Sequence, residues 1–145
     1  MSSGAAASPP LCPSAQPGME GAVVFGVVGG TATEPRVGYL AERLAATPDV
    51  LALTGAVQPT EVFRFGAPCA GGGCRHFDGS SCRLAAKLVQ LTPAVTDASL
   101  PPCALRPDCR WWRQEGKAAC MRCPQVVTVN YLPSEQMRRA ADPDV

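Results

Sequence analysis

Charge is scarce in this chain. Asp, Glu, Lys and Arg make up 17% of its 145 residues, and the net charge is +1, against a usual charged share of about 25%. A polybasic arm, an acidic tail and a highly charged disordered chain are therefore excluded. Aromatic residues, at 6%, are too few for a base-stacking platform spread over the fold. There is one histidine, His76, so any Ser–His–Asp or Cys–His catalytic arrangement would rest on that residue alone. No Lys or Arg precedes Arg36, where a secretory leader would carry a positive segment ahead of about 7–15 apolar residues. The apolar run from Gly21 to Gly30 is too short to cross a membrane, which takes about 20 residues. The 14 glycines and 15 prolines are a fifth of the chain, short of the roughly 25–30% that marks low-complexity disorder. The length suits one domain with a real core, able to bury about 68–70% of its unfolded surface.

Cysteine is what the chain has instead. There are eight in 145 residues, below the roughly 8–10% of small disulfide scaffolds. With no secretory leader read at the start, the expected setting is a reducing cytosol. There, clustered cysteines bind metal or carry redox chemistry more often than they form structural disulfides.

Local patterns predict a small, loop-rich α+β domain over residues 11–145, behind a flexible tail over residues 1–10. The β-branched run AVVFGVV ahead of Gly29–Gly30 reads as a buried strand, with Val37 to Leu40 as a short partner. Thr47-Pro48-Asp49 starts a helix that stops at Gly55. The segment VFRF after Thr60-Glu61 reads equally as helix or strand. Ser80 or Ser81 can cap a helix carrying Leu84, Ala85, Leu88, Val89 and Leu91 at helical spacing. Asp108 opens a short helix through Trp112 that Gly116 ends, and Ser134 opens a last one, SEQMRRAA.

The cysteines follow a degenerate repeat. Cys69-x4-Cys74-Arg-His-Phe-x4-Cys82 is answered by Cys103-x5-Cys109-Arg-Trp-Trp-x7-Cys120. The two remaining cysteines, Cys12 and Cys123, are each followed by proline, as is the last ligand of bacterial ferredoxin loops. Three plus one, twice, is what two four-thiolate sites require. Loops of this length suit a cube with several iron corners better than one zinc ion, whose sites show two short Cys-x2–4-Cys knuckles. Only Cys120-x2-Cys123 has that spacing. The reading is therefore one or two iron–sulfur clusters, [4Fe–4S] in type, held by Cys12, Cys69, Cys74, Cys82, Cys103, Cys109, Cys120 and Cys123.

Open points attach to several residues. Cys12 lies far from Cys69 and completes a site only if the N-terminal segment folds back; otherwise it is a spectator thiol. His76 is a packed loop residue or a ligand in place of one cysteine, as in Rieske centres. Gly71–Gly73 leave amides free to approach a cluster sulfide. Of Trp111 and Trp112, about 100° apart on a helix, one is expected inside and the other beside the site. Gly26-x-x-Gly29-Gly30-Thr31 lacks the lysine a phosphate loop needs. The local excess of positive charge from Arg106 to Arg122 offsets a thiolate-bound cluster or docks an acidic partner.

The stretches LCPSAQPGMEGAVVFGVVGGT, CRWWRQEGKAACMRCPQVVT and PSEQMRRAADP resemble those of a family of small, cysteine-rich bacterial proteins labelled nitrogen fixation proteins. That resemblance implies a cytoplasmic bacterial protein of redox or iron–sulfur metabolism, and it assigns no active-site residue beyond the cysteines.

The expected function is electron transfer or redox sensing with a redox partner protein, without enzymatic chemistry of its own and without a membrane. One alternative is a zinc-stapled interaction module that uses the basic Arg106–Arg122 segment, with nucleic acid as a conceivable ligand. Another is a thiol oxidoreductase that uses Cys120 and Cys123.

Overall fold

The computed structural model describes residues 10–31, 35–94, 102–106, 108–126 and 134–144. It is a small α+β fold: four antiparallel strands and several short helices. The expected tail falls outside the described residues except for Pro10, whose carbonyl accepts the Cys69 N–H at 2.8 Å.

The strands are β1 (Leu11–Ala15), β2 (Val23–Gly30), β3 (Pro35–Ala45) and β4 (Phe63–Pro68), in the sheet order β1-β4-β2-β3. β2 is the predicted strand, and β3 is its predicted partner, grown well beyond Val37–Leu40. The ambiguous VFRF opens β4, the central strand between β1 and β2. The pairing register of β2 slips between Val24 and Gly26 against both neighbours. A Cβ added at Gly26 would lie 2.5 Å from a Val37 methyl, so this crossing takes only glycine.

Helices α1 (Pro48–Ala52) and α2 (Pro59–Val62) lie between β3 and β4 in the chain. Thr47 caps α1 through its hydroxyl, which accepts the Val50 N–H at 3.3 Å. The later helices are α3 (Arg83–Leu91), α4 (Arg110–Glu115), α5 (Lys117–Cys120) and α6 (Glu135–Ala141). Gly116 ends α4 at φ 69°, and the Ser134 hydroxyl caps α6 by accepting Met137 N–H at 3.0 Å. The expected caps at Ser80 or Ser81 and at Asp108 are corrected. The residues in those positions are Cys82 and Cys109. Asp78 is the reason at the first: its carboxylate accepts both serine amides in a turn of its own.

Two cores lie on the sheet. Val24, Phe65 and Ala67 form one with Val50 and Leu51 of α1. Phe25 joins the larger core with Leu88, Leu105, Trp111, Met137 and two of the cysteines, Cys109 and Cys123. Leu105 packs so tightly over β4 that a Cβ at Gly66 would come within 2.9 Å of its methyls. Among the described residues no helix is long and apolar enough to cross a membrane.

Candidate metal centres

All eight cysteines are described and all are free thiols. They fall into two groups of four. Cys12, Cys69, Cys74 and Cys82 line one cavity of about 430 Å³. Cys103, Cys109, Cys120 and Cys123 line a second, of about 20 Å³. The electrostatics divide the same way: charge on Cys82, Cys69 and Cys74 acts on Cys12, while charge on Cys123 and Cys103 acts on both Cys109 and Cys120.

Backbone pairing brings Cys12 to the first group. β1 runs antiparallel to β4 with Cys12 opposite Ala67, two residues from Cys69. Side chains alternate along a strand, and Cys12 and Ser14 line the first cavity while Pro13 between them lines the second. Leu11 also pairs with Cys109, its N–H donating to the Asp108 carbonyl at 2.8 Å. One short strand thus passes between the two groups.

The repeat is kept in space with a shift. Cys74 follows the short 3-10 turn Gly71–Gly73, whereas Cys109 begins a helix. The structural counterpart of Cys109 is Cys82, since each is the residue before a helix that opens with arginine. Amides of Leu84 and Ala85 favour the Cys82 thiolate, and amides of Trp112 and Trp111 favour that of Cys109. An anionic sulfur suits that end of a helix, where N–H groups lack partners. Gln114 of α4 ties the pair together, accepting the Cys82 N–H and donating to its carbonyl, both at 2.8 Å.

Trp111 is the wall between the cavities and lines both. It is 1% exposed, so the inward-facing tryptophan and the one bordering the site are the same residue. Its Nε1–H is buried without an oxygen or nitrogen acceptor among the described residues, and it favours the thiolate of Cys82. Trp112 is partly buried and carries the Arg106 guanidinium 5.5 Å over its ring.

The two groups draw on different donors. In the first, Gly71 N–H lies 3.4 Å from the Cys69 sulfur, and the Ser14 amide faces Cys12. Two further buried nitrogens around this cavity, His76 Nδ1 and Arg110 Nε, have no partner among the described residues. Arg110 stacks 5.4 Å over Phe77. In the second, Arg64 of β4 is 4% exposed and donates to the Cys123 sulfur at 3.2 Å. The same guanidinium donates to the Cys123 and Pro13 carbonyls, each at 2.7 Å, and lies 5.3 Å over Phe25. No carboxylate among the described residues pairs with it. The Arg106 guanidinium, which lines this cavity, favours the thiolate of Cys120.

Burial dominates the thiols of the metal-free chain. It pushes Cys12 up to about 11 and Cys109 up to about 12, and it raises Cys82 and Cys120 as well. A raised Cys120 is the opposite of the activated thiol that a thioredoxin-type pair needs. Burial also raises Tyr39 beside Cys123 and lowers His76, which Lys87, Arg83 and Arg75 lower further.

The donor sets can be tested against a metal group. Among the described residues no three His, Cys, Asp or Glu side chains converge on a point that could hold a single ion. The first cavity, lined by four cysteines with His76, Arg110 and Trp111, is many times larger than one ion needs, and one buried nitrogen on each of those three residues (Nδ1, Nε and Nε1) has no partner among the described residues. A sulfide-bearing, negatively charged cluster would satisfy those nitrogens as well as the thiols, so the residues fit. The second set has the same four thiolates and a buried countercharge, but its space holds about one water, so its loops must part to admit a cluster.

Arg64, Gln114 and Tyr39 were not singled out by the sequence. Only the arginine left a trace, as a lone charge inside the apolar segment VFRF. No family, curated protein or solved structure matches the chain.

Proposed function

We propose that this chain is a two-site iron–sulfur protein that carries or senses electrons, one cluster to each group of four cysteines. The observation that supports the reading is the division of eight free cysteines into two groups of four about one buried tryptophan. Iron–sulfur clusters bound by thiolates accept and release single electrons, at a potential set by hydrogen bonds, charge and burial. The chain's own residues then have definite tasks. Cys12, Cys69, Cys74 and Cys82 hold one cluster, and Cys103, Cys109, Cys120 and Cys123 hold the other. Helix-start amides and the Gly71 N–H donate to the sulfurs. Trp111 and Phe25 keep water away from the inner site.

The four arginines of the Arg106–Arg122 segment are engaged within the chain: Arg106 on Trp112, Arg110 on Phe77, Arg113 on Asp108, and Arg122 on the Thr92 and Ala118 carbonyls; Lys117 is exposed. That engagement favours electron transfer over a basic interaction module.

The test is iron and acid-labile sulfide per chain after anaerobic purification, with an EPR spectrum of the reduced protein. About eight irons with matching sulfide is the expected result. Colourless protein with stoichiometric zinc, or with no metal after iron and sulfide have been provided, overturns the proposal.

A further inference from the structure

Another concave feature lies behind the first group of cysteines. Helices α3 and α6 pack together and border a groove of about 360 Å³, lined by Arg83, Ala86, Lys87, Gln90, Leu91 and Arg139. Half of these residues are cations, and among the described residues no carboxylate lines the groove. Arg83 and Lys87 stand four residues apart on α3, so they share a face, and like charges at that spacing repel. Burial and the charge of Arg83 both lower the Lys87 pKa, while Asp142 and Asp144 oppose that shift in part. Asp144 is paired with Arg75, and Asp142 and Pro143 hold Lys87 and Arg83 through neutral backbone carbonyls. Those carbonyls fix two cations in place without neutralising them. Arg139, exposed on α6, adds a third.

The groove is a track and not a point. From Arg83 to Leu91 the helix rises about 12 Å, with Arg83 and Lys87 toward one end and Gln90 and Leu91 at the other. A free phosphate would cover one part of that length. Successive carboxylates on a protein segment match it better, with Ala86 and Leu91 left for an apolar side chain. The same two helices also border the first cavity, to which α3 sends Leu84 and α6 sends Met137 and Ala141. Cys82 directly precedes Arg83.

We infer that the groove between α3 and α6 docks an acidic segment of a partner protein, whose carboxylates meet Arg83, Lys87 and Arg139. One clause rests on the iron–sulfur reading above: the partner is the protein that trades an electron with the Cys12/Cys69/Cys74/Cys82 site. One electron then passes from the reduced member of the pair to the oxidised one, and no bond or proton moves.

The test is fluorescence anisotropy of a labelled eight-glutamate peptide, titrated with the full chain as purified. The peptide should bind at low salt, and binding should weaken as salt rises. Lys87→Gln and Arg139→Gln should each weaken it about two- to fivefold. Lys117→Gln removes an exposed cation outside the groove and should change nothing. Lys87 also holds the segment after α6, so its variant can fail to fold; Arg139 is exposed, and Arg139→Glu must weaken binding further than Arg139→Gln.

A wild-type chain that ignores the peptide, or an Arg139→Glu chain that binds it unchanged, overturns the docking site. Inorganic phosphate that binds as tightly as the peptide would make this a small-anion site, and tighter binding of an eight-nucleotide single strand would make it a nucleic-acid site. Either result overturns the inference. A chain that binds the peptide through Arg139 but purifies without iron and sulfide keeps the docking groove and overturns only the electron exchange, which is a failure of the proposed function.

Discussion

The two groups of cysteines are built by different means. The first draws one thiol from the edge strand β1, one from the end of β4, one from a glycine turn and one from the start of α3. Its members are spread from position 12 to position 82, and its cavity has a volume of about 430 Å³. The second comes from positions 103 to 123, three of its four thiols belonging to or flanking short helices that pack into the main core, around about 20 Å³. Assembly follows from this. The second group needs only local folding, while the first cannot close until β1 has paired with β4. Charge differs too: in the second group an arginine, Arg64, donates a hydrogen bond to a cysteine sulfur, that of Cys123.

Among the described residues Trp111 is the one that lines both cavities, so its loss is the largest perturbation the comparison predicts. Truncating a fully buried tryptophan costs about 3–5 kcal/mol, and here it also removes the wall between two cavities. Trp111→Ala should lower the denaturation midpoint sharply and reduce iron at both sites. Trp112→Ala, on a partly exposed neighbour, should do much less. Iron lost from one site only would show that the wall belongs to that site alone.

Single cysteine replacements come next and sort the thiols by group. Cys82→Ser should remove about half of the iron and leave the EPR signal of the second site, and Cys120→Ser should do the reverse. Cys12→Ser should behave like Cys82→Ser, since its strand delivers it to the same cavity. If every replacement removes all the iron, the two sites are one.

Some of this was legible in the sequence. The three-plus-one spacing indicates two groups, because cysteines a few residues apart in a loop cannot stray far from one another. The place of Cys12 was not legible, for a physical reason. Its position depends on β1 pairing with β4, and VFRF is too short an apolar run to be told apart as helix or strand by periodicity. Arg64 was hidden by the same ambiguity. An arginine in such a run reads as exposed unless a second layer is known to cover it, and that layer is made from Leu105 and Cys123, far along the chain. The helix starts at Cys82 and Cys109 were missed because serine and aspartate precede them and are the stronger caps in general. At the first, Asp78 had already engaged the two serine amides.

That engagement gives the smallest effect expected. The Asp78 carboxylate accepts the Ser80 N–H at 3.0 Å and the Ser81 N–H at 2.9 Å, and these bonds hold its pKa below the ordinary value. The turn is solvent-exposed, so the gain is modest, but it sets where Cys82 meets the cavity. An acid with a depressed folded pKa stabilises the fold fully above its ordinary pKa. That contribution disappears as pH falls through the folded value. In metal-free protein, Asp78→Ala should therefore melt slightly lower than wild type near neutral pH, and the gap should close in acid. In the loaded protein the variant should lose iron faster from the first site only, with the second site's EPR signal unchanged. A variant that weakens both sites equally would mean that the turn supports the whole fold and not one group of cysteines.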